Sequence, residues 1–170
     1  MKSRLILPPQ QLLHNLFSYC EDNTAQPLAY KIKPSKNIAI GRAAGSYSKG
    51  IGYYQITILK TNYFLHRVIF QYHNGWCPDY IDHKDCDPSN NIIANLREST
   101  CAQNLHSSPH QSNNTTGYKG VSWFKKNKRY VAGIKFNGRR IHLGYFDCPE
   151  EAHEAYKAKA VELYGEYAHW

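Results

Sequence analysis

Residues 117–165 read GYKGVSWFKKNKRYVAGIKFNGRRIHLGYFDCPEEAHEAYKAKAVELYG. Alternation of apolar and polar residues predicts three strands, Tyr118 to Phe124, Tyr130 to Phe136 and Arg139 to Phe146. Asn137-Gly138 suits a two-residue hairpin turn between the last two. Pro149 with Glu150 and Glu151 suits a helix start, and Gly165 a helix end. Between them Ala152, Ala155, Tyr156, Ala160 and Leu163 share one face, and the small alanines allow close approach to a sheet. The expectation is a three-stranded antiparallel sheet packed on one helix.

Charge sorts along this unit. Lys119, Lys125, Lys126, Lys128, Arg129, Lys135, Arg139 and Arg140 lie before His142, with no acid among them. The acids all fall at or after the end of the third strand. Period-two alternation places Lys135, Arg140 and His142 on the surface opposite the helix. Such a run exceeds what protection of a sheet edge requires. It predicts phosphate-backbone binding by Lys119, Lys125, Lys126, Lys135, Arg139, Arg140 and His142. A small sheet with that surface fits the DNA major groove.

Upstream, residues 106–116 (HSSPHQSNNTT) are polar and read as a linker. Before them, residues 80–104 read YIDHKDCDPSNNIIANLRESTCAQN. Asp82, Asp85 and Asp87 crowd its start, with Asp79 just before it. Ile92, Ile93, Leu96 and Leu105 then follow at helical spacing, so strand, turn and helix are expected. Nearer the N-terminus, residues 8–19 read as a helix. Ile38-Ala39-Ile40 and Tyr54 to Ile58 read as strands, and His66 to Tyr72 as helical.

The whole chain has 170 residues, 21 Lys+Arg against 13 Asp+Glu, and a net charge of +8. That excess favours a polyanionic partner. No apolar run approaches the roughly 18 residues that cross a bilayer, so neither secretion nor membrane insertion is expected. The five cysteines lack C-x-x-C spacing, which argues against a disulfide scaffold. A zinc site from Cys86, Cys101, His106 and His110 can be drawn, but it matches no regular ligand spacing.

Two family resemblances follow from these stretches. The 117–165 stretch resembles the plant APETALA/ethylene-response-factor DNA-binding domain. The matching pieces are Gly120-Val121, Ala132-Gly133-Ile134, Arg140 to Phe146, the Glu-Glu-Ala helix start and Ala155-Tyr156. The resemblance implies that Lys119, Lys135 and Arg140 contact bases or phosphates, with His142 where the plant proteins have a tryptophan.

The 80–104 block, with Leu65-His66-Arg67-Val68 before it, resembles the HNH motif of phage and intron-encoded homing endonucleases. This implies an α+β protein: a ββα-metal nuclease domain over 1–105, a linker over 106–116, and the APETALA-type domain over 117–170. It implies His83 as general base, Asp82 and Asn104 as ligands of a divalent cation, and Asn95 as the residue that holds the loop and orients the histidine. Oxygen ligands of this kind suit Mg²⁺, or another hard cation such as Mn²⁺. Arg97 and Arg67 stand as supports for the scissile phosphate or as ion-pair partners.

The expected activity is metal-dependent hydrolysis of double-stranded DNA by a monomer that nicks one strand, in the cytoplasm of a bacterial host. No membrane and no small-molecule substrate are expected. The competing expectation is a sequence-specific DNA-binding regulator with a degenerate, non-catalytic HNH block.

Overall fold

The computed structural model describes residues 5–106 and 114–170. The chain divides into two compact units, residues 1–100 and 101–170. Most of the 106–116 segment, with His110, lies outside the described residues.

The first unit opens with helix α1 (Gln10–Leu16), shorter than the sequence predicts. Its last turn gives way to strand β1 (Phe17–Tyr19), which pairs antiparallel with β2 (Leu28–Tyr30). Phe17 and Leu28, both fully buried, explain why pairing wins over helix at this end. Strands β3 (Ser46–Ser48), β4 (Tyr53–Ile58) and β5 (Thr61–Phe64) form an antiparallel sheet with β4 central. The expected strand at Ile38 to Ile40 does not form; this stretch is a turn-rich loop in which Ile40 is exposed.

Helix α2 (Leu65–Asn74) follows β5 directly and stops at Gly75, whose φ of 75° supplies a left-handed cap. Leu65, Val68 and Ile69 line its buried stripe. They meet Leu13 of α1 and Ile56 and Ile58 of β4 in one core. Arg67 leaves that core to donate to the carbonyl oxygens of Pro78 (2.9 Å) and Asp79 (3.1 Å). These bonds anchor the chain just before strand β6 (Tyr80–His83).

The block after β6 departs from the expected strand, turn and helix. A single 3-10 turn at Ile93–Asn95 is followed by strand β7 (Leu96–Ser99). Antiparallel pairing with β6 sets His83 opposite Leu96 and Asp82 opposite Arg97. Helix α3 (Cys101–His106) comes next and groups with the second unit.

In the second unit, β8 (Val121–Phe124), β9 (Arg129–Phe136) and β10 (Arg139–Phe146) form an antiparallel sheet with β9 central. Asn137 and Gly138 turn the β9–β10 hairpin with φ of 48° and 79°. That double positive φ is the type I′ geometry that Asn-Gly favours. Helix α4 (Pro149–Tyr164) lies on one sheet face, with Ala152, Tyr156 and Ala160 buried along with Val121, Ala132 and Ile134.

The close approach depends on Gly120. Its φ is +78°, and a Cβ there would stand 2.0 Å from the Tyr156 ring. Gly120→Ala is therefore expected to destabilise this unit by about 3 kcal/mol or more, from a left-handed backbone and overpacking together. Denaturant titration of the variant should show that loss; a loss below about 1 kcal/mol would mean the ring moves aside freely.

Candidate active site

Asp82 and His83 end β6, and adjacent strand residues present their side chains to opposite faces. Both are buried, at 4% and 7% exposure. Burial of charge is costly unless it is compensated, and the two residues meet that cost differently.

Asp82 is ion-paired. Arg97, directly across the β6–β7 ladder, donates through Nε to Oδ2 at 2.8 Å. A terminal guanidinium nitrogen reaches the same oxygen at 2.7 Å. In this structure Arg97 is an ion-pair partner, while Arg67 donates to backbone carbonyls.

His83 stays neutral more readily than an exposed histidine. Burial pushes its pKa below the usual value, partly offset by Asn91 and by the carboxylates of Asp85, Asp82 and Asp87. Its Nε2 lies 3.5 Å from Asn91 Oδ1, a long contact. Asn91 is itself fully buried and fixed, its Nδ2 donating to Ala25 and Ser89 carbonyls at 2.9 and 3.0 Å.

Asn95 braces the loop, with Nδ2 donating to Asp85 Oδ1 (2.9 Å) and the Asn90 carbonyl (2.8 Å). Its Oδ1 accepts from the Asp85 backbone N–H at 3.1 Å. The side chain beside the histidine is Asn91. Two asparagines on one tight loop divide bracing and contact between them, and adjacency in sequence does not reveal which reaches the ring.

His66 of α2 is a second residue whose place the sequence does not reveal. Its ring meets His83 edge-on, with centroids 5.3 Å apart, and lies against Phe64 and Tyr53. Its Nδ1 is sealed from solvent without a hydrogen-bond partner. Burial first, then the neighbouring His83 and Arg67, push its pKa down to about 3.

An unfolded chain would protonate His66 near its ordinary value of about 6.5. Between that value and the folded one the unfolded state binds the extra proton, so stability falls as pH falls. At pH 5 the loss attributable to His66 is about 2 kcal/mol. Denaturation at pH 7.5 and pH 5 should show the parent losing that much more than His66→Leu; equal losses would remove His66 as the cause.

Asn104 lies on α3, within the second unit. Asp82 and Asn104 offer a carboxylate and an amide oxygen, the donor set of a hard cation. Among the described residues no cluster of three or more His, Cys, Asp or Glu could hold a metal unaided. By residue type, such oxygen donors suit a cation that keeps several waters or phosphate oxygens, as Mg²⁺ does. Of the drawn zinc set, His110 lies outside the described residues.

The basic side chains cluster on the sheet of the second unit. Lys135 and Arg140 sit directly opposite each other on β9 and β10, and His142 opposite Gly133. All three are exposed, as are Lys125, Lys126 and Arg139. Like charges in cross-strand register repel, so an anion between them would be favourable. Lys119 differs: its Nζ donates to the His169 carbonyl at 2.9 Å. Arg129 also differs, forming a bidentate pair with Asp147 at 2.7 Å through both bonds. The acid-free run is thus compensated at one position by an acid across the hairpin. Exposed Phe124 and Tyr145 are in ring contact on this sheet.

Comparison with known proteins matches residues 63–106 to the HNH endonuclease family model. That range holds His66, Asp82, His83, Asn91, Asn95 and Asn104. The chain is 30% identical over 105 residues to protein 3.8 of Escherichia phage T7, covering 61% of this chain and 86% of that protein. It is 31% identical over 117 residues to the uncharacterized HNH endonuclease L560 of Acanthamoeba polyphaga mimivirus, covering 68% of this chain and 58% of that one. Among the described residues no helix is long and apolar enough to cross a membrane. With its buried Asp-His strand end lying inside the matched segment, the chain belongs to the same family as phage T7 protein 3.8 and carries an HNH endonuclease domain over residues 63–106.

Proposed function

We propose that this protein is a metal-dependent endonuclease that hydrolyses one strand of double-stranded DNA. The observation that carries the reading is the buried Asp82–His83 pair at the end of β6, beside an asparagine-braced loop. In this reading the HNH segment supplies Asp82 and Asn104 as the cation ligands. A bound hard cation would neutralise charge on the scissile phosphate.

The remaining steps belong to the chain. His83, held neutral by burial, takes the proton of the attacking water. The water oxygen bonds to phosphorus, and the bond from phosphorus to the departing sugar oxygen breaks. Asn91 limits rotation of the His83 ring. Asn95 keeps the 84–90 loop from collapsing onto the site. The sheet of the second unit grips DNA in the manner of the APETALA-type domain, through Lys125, Lys126, Lys135, Arg139, Arg140 and His142.

Asp82→Ala and Asn104→Ala should each raise the Mg²⁺ concentration for half-maximal cleavage at least tenfold, or abolish activity. A titration of cleavage rate against Mg²⁺ tests this. Unchanged requirements in both variants would take the cation away from these residues.

A further inference from the structure

The carboxylate that the proposed function gives to a cation already has one. Arg97 delivers two nitrogens to Oδ2 of Asp82 at 2.7 and 2.8 Å, and the two side chains are only 10% and 4% exposed. Both residues are fixed opposite each other by the β6–β7 ladder, so the pair is built into the hairpin. A divalent ion brought to the same carboxylate would face a full positive charge at close range in a poorly hydrated site, where charges interact strongly. Metal loading and the Arg97 contact therefore oppose each other.

Arg97 has a natural alternative partner once substrate arrives. A guanidinium is a planar fork that matches a phosphate as well as a carboxylate. A DNA backbone at this strand end supplies such phosphates, and it does so only when DNA is bound. We propose that Arg97 is a counter-ion latch: it neutralises Asp82 in the free protein and moves to a backbone phosphate when duplex binds, so that cation binding depends on DNA. Arg97 is then a positioning residue that acts through Asp82. The inference rests on the reading that Asp82 takes the cation, and by linkage any gain in metal affinity caused by DNA equals the gain in DNA affinity caused by metal.

The test is calorimetric titration of the full chain with Mn²⁺ in the absence of DNA, with folding checked by circular dichroism. Arg97→Gln should bind Mn²⁺ at least tenfold more tightly than the parent, and Arg97→Lys by an intermediate factor. If Arg97→Gln does not fold, Arg97→Lys decides. Parent-like Mn²⁺ affinity in the folded variants would overturn the latch. Adding Asp82→Asn to Arg97→Gln should abolish the gain; if the double variant keeps it, the cation is not on Asp82 and the underlying reading fails instead. A second titration uses the His83→Ala background, to keep DNA intact, with the signal of duplex alone subtracted. There, duplex should raise Mn²⁺ affinity at least tenfold when Arg97 is present and distinctly less when it is glutamine. Equal gains would also overturn the proposal.

Discussion

His83→Ala should slow DNA cleavage by roughly 10²–10⁴-fold, the usual contribution of a positioned general base, while DNA affinity stays near that of the parent. The asymmetry follows from location. His83 is buried at the end of β6, whereas exposed Lys135, Arg139, Arg140 and His142 lie on β9 and β10 in the other unit. Removing the imidazole takes away the proton acceptor without removing a phosphate contact. Its neighbours also limit collateral damage: Asn91 is held by Ala25 and Ser89 independently of His83. Single-turnover cleavage and gel-shift affinity, measured side by side, check both halves. Undiminished cleavage would exclude His83 as the base; a parallel loss of binding would mean that the residue supports the fold or the DNA and not the chemistry.

Replacing both Lys135 and Arg140 by alanine should weaken DNA binding about 10–100-fold at physiological salt. The slope of log affinity against log salt should flatten by about 1 for each phosphate that no longer meets a cation. These two are chosen because they face each other across the β9–β10 ladder with no acid in register. Their mutual repulsion in the free protein becomes an asset against a polyanion. Arg129→Ala makes the control, since its guanidinium is committed to Asp147. A salt titration of the double variant with an unchanged slope would move the DNA grip off this sheet. The lysines of the first unit would then be the next candidates.

The second unit is largely legible in the sequence because its signals are local. Period-two alternation, the Asn-Gly turn and the Pro-Glu-Glu helix start place β10 at Arg139–Phe146 and α4 at Pro149–Tyr164, the bounds read from sequence. The compensating Asp147 is not legible, because its partner, Arg129, lies 18 residues away and meets it only across the folded sheet. The first unit is harder to read because its elements are short and held by tertiary partners. Strand β7 looks helical since Ile92, Ile93 and Leu96 are spaced like one helix face. Pairing with β6 overrides that local preference. Likewise β1 takes the end of an apparently continuous helix, because Phe17 is needed in the core.

The candidate site shows the same division. Asp82, His83 and Asn95 stand out through their spacing, and they occupy one region of the first unit. Asn91 and His66 reach His83 through a loop turn and a helix, respectively, and no local pattern marks either. The Arg97–Asp82 pair follows from β6–β7 register, which the helical spacing of the block conceals.

Endonuclease action is tested most directly by incubating the purified full chain with supercoiled plasmid carrying its natural target region, in Mg²⁺, with EDTA and with His83→Ala in parallel. The parent should convert the plasmid to the open circular form, and EDTA and the substitution should each arrest that conversion. Persistent supercoiled plasmid despite tight, salt-sensitive binding would contradict endonuclease action, and would instead favour a DNA-binding regulator with an inactive HNH block.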